Sequence, residues 1–112
     1  MSHPSKAKGT AAETAVVRWL REHGWPGADR SPLRGNADEG DITGLPGVVV
    51  EVKAERSVDL AGWVREMEAE VDNAGADVGT VVAKRRGTTD VGDWYAIMPV
   101  RMLAHLLDEA GY

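Results

Sequence analysis

The run Val48-Val49-Val50-Glu51-Val52-Lys53 constrains this chain more than any other stretch. Its valines favour an extended backbone, and a strand this apolar belongs in the middle of a sheet. Gly40-Asp41-Ile42-Thr43 reads as a second strand just before it, and Gly44-Leu45-Pro46-Gly47 supplies the turn, so the two form a hairpin. Side chains alternate along a strand, so Glu51 and Lys53 share one face while Val50 and Val52 take the other.

Helical periodicity surrounds the hairpin. Ala12, Ala15, Val16, Trp19, Leu20 and His23 mark one face of an amphipathic helix from Thr10 to His23, ended by Gly24. Thr10 with Glu13 three residues on is a capping-box pattern, with residues 1–8 as a loose arm before a single domain at 9–112. Residues 26–40 read as loop, with one short strand near Arg30. Leu60, Trp63, Val64, Met67 and Val71 form a second helix that stops at Gly75; Glu66 and Glu70 read as its solvated face. Strands are expected at Gly79–Lys84 and Trp94–Met98, around a polar loop from Arg85 to Asp93. Pro99 suits the first turn of a closing helix whose apolar side is Val100, Leu103, Ala104 and Leu107. Trp19 and Trp63 belong to the core. The order α-β-β-β-α-β-β-α describes an α/β sandwich around a small mixed sheet.

Several classes of protein are excluded. The 112 residues include no cysteine, so there is no disulfide scaffold, Cys-ligated zinc, iron–sulfur cluster or thiol nucleophile. His3, His23 and His105 lack ligand spacing. No apolar run approaches the roughly 18 residues of a membrane span. The first residues lack the apolar core of a signal peptide, so a cytoplasmic protein without membrane partners is expected, a compact phage enzyme in its host being one such case. The net charge is −5, and residues 36–73 carry ten acids against three Lys/Arg. Cations gather instead near the N-terminus and at Lys84-Arg85-Arg86, which allows a local positive face.

The hairpin carries the chemistry. Its turn brings Asp41 opposite or next to Glu51, so two carboxylates and the Lys53 ammonium converge at its open end. Close carboxylates repel unless a cation lies between them, and oxygen ligands alone select Mg²⁺ or Mn²⁺ over zinc. Asp, Glu and Lys around such an ion suit phosphodiester hydrolysis. The plainer alternative is a weak surface charge pair on a strand.

Gly40-Asp41 followed by Glu51-Val52-Lys53 resembles the signature of the PD-(D/E)XK nuclease superfamily, with Gly40 where that signature usually has proline. Lys8-Gly9, Glu13, the helix ending Gly24-Trp25, and Arg30-Ser31 extend the likeness to archaeal-type Holliday junction resolvases, over about Lys8 to Lys84. The resemblance implies a restriction-endonuclease-like fold and a homodimer that nicks branched DNA symmetrically with Mg²⁺, or Mn²⁺ in its place. It implies Asp41, Glu51 and the Val52 carbonyl as metal ligands, with Glu13 approaching through water. Lys53 is then the catalytic lysine and Ser31 a serine beside the site. Lys8, Arg30, Arg34, Lys84, Arg85 and Arg86 are expected to meet DNA. Glu13 can instead serve Thr10 as a capping partner, or do both. A nuclease acting on flaps, nicks or duplex DNA, and a non-catalytic binding module on the same fold, are the competing readings.

Overall fold

In a computed structural model, which describes residues 4–32 and 37–112, the valine run lies at the centre of the sheet as β3 (Val48–Lys53). On one side it pairs antiparallel with β2 (Ile42–Thr43), Ile42 facing Val50, and β2 pairs antiparallel with β1 (Asp29–Arg30). On the other side it runs parallel to β4 (Val78–Ala83), which pairs antiparallel with β5 (Tyr95–Ile97). The strand order is β1-β2-β3-β4-β5, a five-stranded mixed sheet in an α/β fold.

A parallel pair needs a long crossover, and α2 (Leu60–Ala74) provides it. Asp59 caps its start by accepting the Gly62 N–H at 3.0 Å, and Gly75 ends it in the left-handed conformation. The helix lies close on the sheet: a Cβ on Gly79 would stand 2.5 Å from Met67 Sδ. α1 (Pro4–Glu22) covers the opposite face, and α3 (Val100–Glu109) closes the chain against β4. No helix among the described residues is long and apolar enough to cross a membrane.

The alternation of β3 divides the core in two. Val50 and Val52 face α1, with Ala12, Val16, Val17, Ala28 and Ile42. Val49 faces α2, with Trp63, Met67, Val71, Val78, Val81, Ala83 and Met102. Glu51 and Lys53 follow Val49 on that second side.

Four expectations change. α1 starts at Pro4, six residues before Thr10, so residues 4–8 are helical and not a loose arm. Thr10 is then interior to the helix and cannot be capped by Glu13. α3 buries Met102 but leaves Val100, Leu103 and Leu107 exposed, because α2 already covers β3 and β4 and α3 reaches only the margin. Pro99 is the residue before α3, not in its first turn.

Candidate metal and phosphate site

β2 is two residues long, so β3 runs past it with an unpaired edge. Asp41 fills that gap. Its N–H donates to the Val50 carbonyl at 2.8 Å, and its carboxylate accepts the Val52 N–H at 2.7 Å, replacing the missing strand. The chain enters Asp41 through Gly40 at φ 100°. A side chain there would meet Val49 Cγ1 at 2.9 Å and the Val50 carbonyl at 3.1 Å. Proline, locked near φ −65°, cannot adopt this backbone, which accounts for glycine before Asp41 in this chain.

Asp41 thus lies beside Glu51, and the two carboxyls interact directly. Glu51 is 2% exposed. Burial first, then contacts with Asp41, Glu70 and Glu66, hold its carboxyl far above the usual carboxylate range. Lys53 Nζ donates to Glu66 Oε2 at 3.0 Å. Burial lowers the Lys53 pKa, but the Glu66 hydrogen bond and the charges of Glu51, Glu66 and Glu55 outweigh it, and the net shift is upward. Glu66 is exposed; its partial desolvation pushes its pKa up, yet the bonds to Glu51 and Lys53 bring it below its ordinary value.

Glu13 reaches the same place from α1. Burial and the Asp41 charge raise its pKa, against the pull of Arg30, whose Nε lies 3.0 Å from Glu13 Oε1. Glu13, Asp41, Glu51, Val52 and Lys53 line one cleft of about 900 Å³. Lys6, Lys8 and Arg56 stand on its walls. A second groove of about 530 Å³ shares residues 54–56 with the first and carries Lys84, Arg85 and Arg86. Lys84 Nζ lies 6.0 Å from the Trp94 ring centre and the Arg85 guanidinium 5.6 Å from that of Tyr95, so aromatic faces steady both cations. The acidic floor is flanked by positive charge at both ends.

Not every expected residue joins this cleft. Ser31 stays outside, in a shallow depression with Glu39 and the 42–45 turn; its hydroxyl is 3.4 Å from the Pro32 carbonyl. Its backbone N–H supports the site instead, donating to the Asp41 carbonyl at 2.8 Å. Arg30 is engaged by Glu13 and does not line the cleft. Arg34 lies outside the described residues.

Sequence reasoning missed five side chains, among them Asp38, which also lines the cleft. Lys6 and Arg56 add cations to the rim. Glu66 holds Lys53, and Glu70, read as solvated, is 2% exposed. The signal was available: Glu70 stands seven residues after Trp63 and three after Met67, squarely on the buried stripe of α2.

The donor set fits a hard divalent cation. Asp41, Glu51 and Glu13 offer only oxygen, two of them crowd each other, and the nearest ammonium is already paired with Glu66. The chain matches no family model, no curated protein and no solved structure, so the functional reading rests on this side-chain geometry.

Proposed function

We propose that this chain is a metal-dependent DNA endonuclease with a restriction-endonuclease-like active site, acting as a homodimer on four-way junctions. The observation that carries the reading is the convergence of Asp41, Glu51 and Lys53 at the end of β3, in a cleft shared with Glu13 and bordered by cations. The choice of a branched substrate and the homodimer come from the resemblance of the Lys8–Lys84 region to junction resolvases.

Asp41, Glu51 and the Val52 carbonyl are the residues to hold Mg²⁺ or Mn²⁺, which supplies Lewis acidity and a more acidic bound water. Lys53 contributes positive charge where the phosphorane builds negative charge. Glu66 keeps that ammonium in place and protonated. Lys8, Lys84, Arg85 and Arg86, with Lys6 and Arg56, bind phosphates without reading bases, so shape and backbone select the DNA. Hydrolysis breaks the P–O3′ bond: water adds to phosphorus, the 3′-oxygen leaves and takes a proton, and a 5′-phosphate remains. A two-fold dimer presents two such clefts to two like strands.

The test is cleavage of an immobile four-way junction beside its matched linear duplex, with Mg²⁺ or with EDTA. Paired, metal-dependent nicks in the junction alone support the reading. Cleavage of flaps or duplex instead would move the substrate within the same chemistry. Inertness toward all of these by folded protein would leave a binding module.

A further inference from the structure

Asp38 lines the same cleft as Asp41 and Glu51, and it belongs to a second group of carboxyls around Glu51. One oxygen each from Asp38, Glu51 and Glu70 lie within 4.8 Å of one another. Glu51 and Glu70 are each 2% exposed, while Asp38 is exposed and forms the mouth. Among the described residues, neither carboxylate oxygen of Glu70 has a hydrogen-bond donor outside the carboxyl cluster itself. A buried carboxylate without a donor is costly, and such a group calls for a missing partner.

The surrounding chain holds these oxygens in position. Asp38 accepts the Gly40 N–H at 2.9 Å through Oδ1, and its carbonyl accepts from Asn73 Nδ2 at 2.8 Å, tying it to α2. Glu70 is carried by the same helix, and Glu51 by the central strand. Among the described residues no ammonium or guanidinium bonds to Glu70, and Lys53 is committed to Glu66. Oxygens bound to one cation at about 2.0–2.6 Å are separated by no more than about 4–5 Å, which matches this spacing.

We propose that Asp38, Glu51 and Glu70 form a second divalent-cation position, for a hard ion of the Mg²⁺, Mn²⁺ or Ca²⁺ class, sharing Glu51 with the Asp41 side of the cleft. Glu51 is the bridge between the two positions. The ion enters past Asp38 and satisfies the Glu70 carboxylate. This inference does not rest on the nuclease reading, since it requires binding of a cation and no reaction.

Mn²⁺ alone is the probe, with bound ion counted by electron paramagnetic resonance and affinity measured by calorimetry on the full chain. Glu70→Gln is expected to lose one Mn²⁺ per chain, or to bind it about tenfold or more weakly. Asp41→Asn is expected to keep that ion and to lose only the ion at its own side. If Glu70→Gln fails to fold by circular dichroism, Asp38→Asn, at the exposed mouth, carries the same test. Unchanged Mn²⁺ stoichiometry and affinity in the folded Glu70 or Asp38 variant would overturn the proposal. A wild-type protein that binds one Mn²⁺, lost in Glu70→Gln and kept in Asp41→Asn, would uphold it while removing the metal from the nuclease reading.

Discussion

Val49 and Glu51 lie two residues apart on the same face of β3 and are buried to the same degree, 1% and 2% exposed. α2 repeats the contrast with Met67 at 0% and Glu70 at 2%. One end of this layer is an apolar cluster, the other a cluster of carboxyls, and the same strand and helix build both. Burial at the valine end stabilises the fold. Burial at the glutamate end opposes it, because Glu51 and Glu70 lose water and face other carboxyls. The layer therefore stores at one end an unfavourable charge that a cation would relieve.

The largest expected effect separates chemistry from fold at the glutamate end. Asp41→Asn keeps an acceptor for the Val52 N–H but removes a charge beside Glu51. Metal-dependent junction cleavage should fall by about a thousandfold or more, a loss of the size seen when a main electrostatic group is removed, with the circular dichroism spectrum unchanged. Cleavage within tenfold of wild type, measured at saturating Mg²⁺, would remove Asp41 from the site.

At the valine end the effect is on stability. Met67→Ala leaves a cavity against Val81 and Gly79 and should cost about 2–5 kcal/mol in urea denaturation. Loss of less than 1 kcal/mol would mean that α2 settles into the space, and that the layer is less rigid than its packing requires.

Between the two ends, the Glu70 carboxyl links stability to pH. Burial, then the charges of Asp38 and Glu66, against the opposing effect of Glu51, push it up to about 7. The folded chain thus holds this proton more tightly than the unfolded chain does. Its contribution is fully present below the ordinary carboxylate range and is lost as pH rises through about 7. Glu51 acts in the same direction. Glu66 is shifted the other way, and its contribution is already complete above pH 5. Without divalent metal, stability should drop by roughly 1–3 kcal/mol between pH 5 and pH 8, and Glu70→Gln should flatten that slope. Urea midpoints in EDTA decide it; a metal-free protein more stable at pH 8 than at pH 5, with the same slope in the variant, would contradict the assignment.

The apolar end of this layer was readable in advance, and the charged end only in part. Val48–Lys53, its hairpin partner and the Leu60–Ala74 helix follow from β-branching, turn residues and a helical stripe, which are local signals. Glu51 and Lys53 came with β3, and Asp41 with the hairpin that precedes it. Glu70 did not, because a glutamate on a helix is ordinarily solvated and only the strand beneath makes this one otherwise; Glu66 is exposed as expected, and what the sequence hid is its bond to Lys53. Asp38 was lost for the same reason: it is loop in sequence and is placed by a long-range bond from Asn73, with a local one from Gly40. Ser31 illustrates the reverse error. Its neighbour in sequence does approach the site, yet only its backbone contributes.

The smallest effect concerns the rim, where Arg30 and Glu13 meet. Arg30 is 45% exposed and Glu13 20%, at 3.0 Å. An ion pair this open contributes about 0–1 kcal/mol, so Arg30→Ala should barely shift the urea midpoint. Its consequence is electrostatic. Burial and Asp41 already raise the Glu13 pKa, and Arg30 is the group that opposes them. Removing it should drive the Glu13 pKa further up, as read by carboxyl NMR titration of wild type and variant in EDTA. A Glu13 that titrates unchanged would mean that Arg30 turns outward to solvent, free to meet a phosphate, and that the carboxyls of the cleft are screened from the basic rim. A raised Glu13 pKa would mean that this arginine belongs to the acidic end of the molecule, and that under the proposed function phosphate contact there falls to Lys6 and Lys8.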